Sequence, residues 1–222
     1  ELSRLPLDGL AISVFVSTEV AANLRQAGIN GAIFSEYRVL DLHGLSSLWS
    51  RTQKNFYKFD LVFTVFGPAY FCLSPGKWLT GFAQPWIIYL DNEIYPSSGW
   101  LQKCKLWLKF FLQARFFCRS DKLVVELDHV KQGLVSRRLA RPEDVFFVHN
   151  CVSSIYFKPE LWQEVQLAKN GQKFSIGFVG RDYSHKNVSI LIEVKKLLVS
   201  HGVDVDFYVT LTEAEWSART DE

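Results

Sequence analysis

This sequence predicts an α/β fold built on parallel sheets, and three observations carry the prediction. Short apolar runs rich in Val, Ile, Leu and Phe recur along the chain and alternate with stretches of helical periodicity. Glycine, proline and small polar residues separate the runs, as turns between strands and helices do. Strands that alternate with helices form parallel sheets covered on both faces. The composition agrees, since 48% hydrophobic and 22% charged residues supply a globular chain with material for a core.

Taken in order, residues 10–16 are a first apolar strand candidate. Ser17 and Thr18 follow as a helix N-cap, residues 19–27 as the helix and Gly28 as its stop. Asn30-Gly31 is a turn before a strand over 32–35, and residues 45–57 have helical character. The run 60–66, D-L-V-F-T-V-F, is the clearest strand of the first half, closed by Gly67-Pro68. Further short apolar runs fall at 78–83, 86–89, 123–127 and 145–148.

The bulk properties exclude several classes. A net charge of +2 across 222 residues lacks the concentrated basic excess of a nucleic-acid binder. Cys72, Cys104, Cys118 and Cys151 are scattered, with no C-x-x-C pair, and are expected to be buried free thiols in a reducing compartment. None of the histidines is spaced as a metal-ligand pair, and no metal is expected. No apolar run is long enough to span a bilayer, and no signal peptide is visible, so the expected location is the cytoplasm. Glu1 opens a chain without methionine, and the last residues carry no closing element. The chain is expected to be a piece of a longer protein.

One helical stretch stands apart. W-L-Q-K-C-K-L-W-L-K-F-F-L-Q-A-R-F-F-C-R opens at Trp100 and closes at Arg119, and all its charges are positive. Its polar stripe of Gln102, Lys105, Lys109 and Gln113 is narrow, and Leu, Trp and Phe take most of the circumference. Two readings stand. A connecting helix packed between a sheet and other helices needs a broad apolar face. An interfacial helix on an anionic membrane surface needs aromatic residues beside cations, which implies a peripheral place on the inner face of the membrane.

The stretch 173–188, K-F-S-I-G-F-V-G-R-D-Y-S-H-K-N-V, organises the second half. Residues 174–179 read as a buried strand ending at Gly180, where a missing side chain lets a ligand approach the backbone. Arg181 and Lys186 then place two cations ahead of a helix that begins near Asn187. Val188, Leu191, Val194 and Leu198 share one face of that helix, with Ser189, Glu193, Lys196 and Ser200 opposite. A guanidinium binds phosphate oxygens bidentately, an ammonium adds a point charge, and free first-turn N–H groups point the same way. The arrangement suits a diphosphate, although two cations in a loop are also commonly just solvated.

The string F-V-G-R-x4-K-N, followed by a helix and a strand over 203–211, resembles the second-domain entry of GT-B glycosyltransferases, specifically the large retaining family 4. Residues 145–159, V-F-F-V-H-N-C-V-S-S-I-Y-F-K-P, are similar to the interdomain segment of that family, V-x-P-N-G-V-D-x-x-x-F-x-P. Asn150, Val152, Phe157 and Pro159 match, while His149, Cys151 and Ser153 stand where Pro, Gly and Asp are usual. The resemblance covers residues 60–211. It does not extend to the first fifty residues, which lack the expected Gly-rich loop.

The resemblance implies an α/β GT-B fold of two Rossmann-like domains with parallel sheets, the second one truncated. Residues 1–155 would form the acceptor domain, 156–172 the link, and 173–222 the start of the donor domain. It implies transfer of a hexosyl group from a UDP- or GDP-sugar to a saccharide or lipid-linked acceptor, in bacterial surface polysaccharide synthesis. The nucleotide sugar is a substrate, and neither a cofactor nor a metal is implied. Gly180, Arg181, Lys186 and Asn187 take the donor diphosphate by this carry-over. Tyr183, Ser184 and His185 fill the loop between the cations. The distal half of the donor site lies beyond residue 222, so this chain alone is expected to be inactive.

Acceptor contacts in the first domain are expected from loops at the carboxyl ends of strands. Gly67, Gln84 and Asp91 occupy such places, with Glu93 beside the last and Gln84 where many relatives carry a His. His129 and His149 fall near the cleft in the analogy. Catalytic residues are not assigned. Two alternatives stay open: a nucleotide-sugar epimerase on the same fold, and a non-catalytic relative that binds a membrane or partner.

Overall fold

The computed structural model describes residues 9–42, 44–49, 51–70, 76–89, 99–162, 173–180 and 186–220. The chain divides into two compact units, Glu1–Glu160 and Leu161–Glu222. Every strand pair in both is parallel. The α/β class with parallel, Rossmann-like sheets is therefore the observed one.

The first unit opens with β1 (Ser13–Val16), α1 (Thr18–Gln26) and β2 (Glu36–Val39). The Ser17 hydroxyl accepts from the Val20 N–H, as an N-cap does, and Gly28 adopts φ +69° just past the helix end. β1 and β2 pair from Ser13 against Glu36 to Val16 against Val39. The strand expected at 32–35 is displaced. Gly31–Ile33 forms a 3-10 turn, capped by the Asn30 side chain, and the chain reaches β1 only at Glu36. The helix expected over 45–57 is instead two 3-10 segments, Gly44–Trp49 and Arg51–Phe56. Here the Gln53 amide donates to the Ser47 and Tyr70 carbonyls and ties the segment across the fold rather than along a helix axis.

A four-stranded sheet follows, in the order β3 (Leu61–Thr64), β4 (Lys77–Gly81), β5 (Lys122–Val125), β6 (Val145–Phe147). Helix α2 (Trp100–Phe117) connects β4 to β5, and α3 (Asp128–Ser136) connects β5 to β6. The apolar run at 86–89 is not a strand, because Pro85 starts a 3-10 turn that buries Ile87 and Ile88. Those two join Phe82, Phe117, Leu123, Val125, Leu134 and Val145 in the main core. A second cluster, Phe56, Val62 and Trp78 with Phe15 and Leu40 against it, joins β1 and β2 to the edge of the large sheet.

Within this core two details fix strand alignment. A Cβ on Gly81 would fall on the Val65 carbonyl oxygen, so only glycine lets the chain after β3 approach β4 so closely. Buried Thr80 is satisfied by a row of hydroxyls, 2.9 Å from Thr64 Oγ1 and 2.8 Å from Ser120 Oγ.

α2 divides along its length. Phe117 is buried, and Phe110 and Ala114 pack on the core, while most residues from Trp100 to Lys109 are exposed. The expected burial fails for three of the cysteines, since Cys104, Cys118 and Cys151 are free and exposed, while Cys72 lies outside the described residues. Desolvation by its partial cover still raises the Cys118 thiol pKa against the lowering effect of Arg115.

The second unit contains β7 (Phe174–Phe178), α4 (Ile190–Ser200), β8 (Val205–Val209) and α5 (Glu213–Thr220). β7 pairs with β8 from Phe174 against Val205 to Phe178 against Val209. The face expected on α4 is observed, with Val188 buried and Leu191, Val194 and Leu198 half-buried. β7, expected to be buried, is exposed over most of its length. Among the described residues it has one neighbouring strand, β8, on which to pair.

Candidate functional sites

In the second unit the chain runs strand, helix, strand, with Gly180 past the carboxyl end of β7 and Lys186 and Asn187 ahead of α4. Gly180 is held there by Thr210, one residue past β8. Its N–H donates to Thr210 Oγ1 over 2.9 Å, and the same hydroxyl donates to the Gly180 carbonyl over 3.0 Å. The glycine also makes room within its own strand, since a Cβ would lie 3.1 Å from the Phe178 ring. Its N–H is thus engaged by protein, and the turn is fixed from the β8 side.

Lys186 and Asn187 lead into α4 and are both exposed. Asn187 sits at φ +44°, a left-handed conformation that asparagine tolerates better than most residues. Its Oδ1 accepts from the Ser189 hydroxyl at 3.2 Å, and its carbonyl accepts from the Ile190 N–H at 3.1 Å. Ser189, at the N-cap of α4, makes no side-chain capping bond, but the N–H groups of Ile190, Leu191 and Ile192 donate to the carbonyls of Asn187, Val188 and Ser189, so the first-turn donors expected to be free are engaged by backbone. Arg181, Tyr183, Ser184 and His185 lie outside the described residues. Lys186 stands at the helix entry with no ion-pair partner among the described residues.

The first unit carries a separate concavity. A cavity of about 160 Å³ opens at the carboxyl ends of β3, β4, β5 and β6, where parallel sheets place their ligands. Phe63, Phe66, Phe82 and Val148 form its apolar wall, and Glu126, His149 and Asn150 its polar side. The Asn150 amide donates to Glu126 Oε2 over 2.9 Å, so the carboxylate that ends β5 is aimed by the loop that ends β6. The His149 ring packs edge-on against Phe147, with centroids 4.3 Å apart.

The expected acceptor residues are not gathered here. Gly67 lies just past β3 at φ +79° in open space, and Gln84 is tied to α2 by a 3.1 Å bond to Gln113. Neither lines the cavity. Asp91 and Glu93 fall outside the described residues. His129 stands beside Tyr89, with ring centroids 6.4 Å apart. Glu126 escaped the sequence reading, although a carboxylate directly after the run L-V-V is the signal that marks a strand end.

A larger cavity, about 680 Å³, lies at the opposite, amino ends of β5 and β6. Among the cations that line it, Arg141 is matched by a carboxylate. Asp144 accepts from Lys122 and from Arg141, each at 2.6 Å, and these bonds hold its carboxyl below the usual carboxylate range. Parallel sheets place their ligands at the carboxyl ends of their strands, and we place the candidate chemistry there. Among the described residues no group of three or more His, Cys, Asp or Glu could hold a metal ion.

The fold and these sites define a class: an α/β protein with parallel, Rossmann-like sheets and an exposed lysine, Lys186, ahead of the helix of a β-α-β unit. No model of a known protein family matches the chain, and no curated protein matches it.

Proposed function

We propose that the chain is part of a GT-B glycosyltransferase that uses a UDP- or GDP-sugar as donor. The observation that supports the reading is that F-V-G closes a strand and K-N leads into a helix, with a parallel strand returning beside the first; the R-x4 between them lies outside the described residues. In this reading Arg181 and Lys186 neutralise the diphosphate as it leaves, the charge that develops when the sugar departs. Transfer also needs an acceptor hydroxyl held close to the anomeric carbon of the sugar. The concavity beside Glu126 and His149 is the acceptor side of the reading, with a saccharide or lipid-linked sugar as its occupant.

Calorimetric titration of UDP and of GDP into the protein tests this. One nucleotide is expected to bind, and Arg181→Ala and Lys186→Ala are each expected to weaken it about 10- to 100-fold, the range for hydrogen bonds to charged groups. Far-UV circular dichroism should stay unchanged for Lys186→Ala, whose side chain is exposed. Absence of binding by the wild type, or equal binding by both variants, overturns the assignment.

A further inference from the structure

We propose that α2 lies on the surface of an anionic lipid bilayer and docks the first unit there. The proposal rests on α2 alone and is independent of the donor site. At about 100° per residue, Phe110, Ala114 and Phe117 point together into the core. The same rotation gathers Trp100, Cys104, Trp107, Leu108 and Phe111 into a second stripe about a quarter turn round from them, and this one faces solvent. There Trp100 is 72% exposed, Trp107 64% and Phe111 48%. A helix packed on a core by one face ordinarily shows polar residues on the other. This one confines its uncharged and charged polar residues mainly to the narrow stripe of Gln102, Lys105, Lys109 and Gln113 and leaves a second apolar face exposed. The Trp107 and Phe111 rings stack with centroids 5.3 Å apart and planes 12° from parallel, so the outer stripe is preassembled.

Charge names the occupant. Between Gly99 and Ser120 the chain carries Lys103, Lys105, Lys109, Arg115 and Arg119 and no Asp or Glu. By helical position Lys105 lies to one side of the stripe and Lys103 to the other. Their long stems let the ammonium groups reach phosphates while the rings enter the headgroup region. A second copy of the same helix would bring five cations against five, which disfavours self-docking. Anionic lipid supplies the complementary charge, and tryptophan favours the interface between headgroups and acyl chains. The helix would rest in the plane of the surface, since no described helix is long and apolar enough to cross a membrane.

Sedimentation with vesicles tests the proposal, using phosphatidylcholine alone and an equimolar mixture with phosphatidylglycerol. The wild-type protein is expected to pellet with the mixed vesicles and at least tenfold less with the neutral ones. Lys103→Gln and Lys105→Gln should each weaken partition about fivefold, an effect that added salt mimics. Trp107→Ser combined with Phe111→Ser should lower it about a hundredfold, while circular dichroism stays that of the wild type because both side chains point away from the core. Three outcomes overturn the proposal. The wild type could ignore both vesicles, or the double variant could pellet as the wild type does. The double variant could also abolish a concentration-dependent dimer without changing vesicle binding, which would assign the stripe to a second copy.

Discussion

Leu123 and Val125 in β5, and Phe174 and Ile176 in β7, are apolar residues at alternate positions of parallel strands. The first pair is 2% and 0% exposed, the second 72% and 39%. Local sequence makes both segments strands, because branched and aromatic residues suit an extended pleated chain. Burial depends on what surrounds them. β5 lies between β4 and β6, with the end of α2 and all of α3 packed over its core. β7 pairs with β8 alone among the described residues. An apolar run thus reports strand conformation more directly than it reports a core.

Substitutions matched across the two sheets break or sharpen this contrast. The largest difference is expected from truncating an aromatic in each. Phe117→Ala, in the centre of the main core, should cost about 4 kcal/mol, and Phe174→Ala less than about 1 kcal/mol. Urea unfolding with hydrogen exchange resolved by element reads both, and equal losses would remove the contrast.

A glycine-to-alanine pair comes next. Gly81→Ala drives a methyl into the Val65 carbonyl and should cost about 3 kcal/mol. Gly177→Ala, in β7, meets no atom within 4 Å and should stay within about 0.5 kcal/mol of wild type. A neutral Gly81→Ala would show that β3 and β4 are free to separate.

The smallest effects are electrostatic and differ in sign between the sheets. Hydrogen bonds from Lys122 and Arg141 lower the Asp144 pKa, so its contribution is fully present above the unfolded value, about 4, and is lost as pH falls through the folded one. The hydrogen bond to Asp204, then the charges of Asp204 and Asp206, raise the Lys173 pKa. Its contribution is present below the unfolded value, about 10, and is lost as pH rises through the folded one. Asp144→Asn should therefore lower the melting temperature at neutral pH by an amount that shrinks below pH about 4. Lys173→Gln should produce a difference that shrinks at alkaline pH. A pH-independent gap in either variant would mean that the lost contact is packing rather than charge.

How much was legible follows the range of the interactions. The Ser17 cap and Gly28 stop of α1 were readable because both act within a turn of the helix end. The inner face of α4 was readable for a similar reason, since Val188, Leu191, Val194 and Leu198 repeat at the helical period. At the donor turn the positions of Gly180 and Lys186 followed from strand and helix signals on either side. The Thr210 hydroxyl that secures Gly180 comes from thirty residues away and left no local trace. Glu126 was missed likewise, because its link to Asn150 spans two strand ends that only the sheet brings together.

The sequence by itself determined the α/β class, most strand and helix positions and the cation at the entrance of α4, because periodicity and capping act over a few residues. Only the tertiary structure decided that β2 is the charged segment Glu36–Val39, since that strand exists through its pairing with β1. It also decided that β7 is exposed, that Glu126 and His149 share a cavity, and that the aromatic face of α2 points outward. Each of these depends on which distant segments pack together, and a single apolar residue carries no record of its partner.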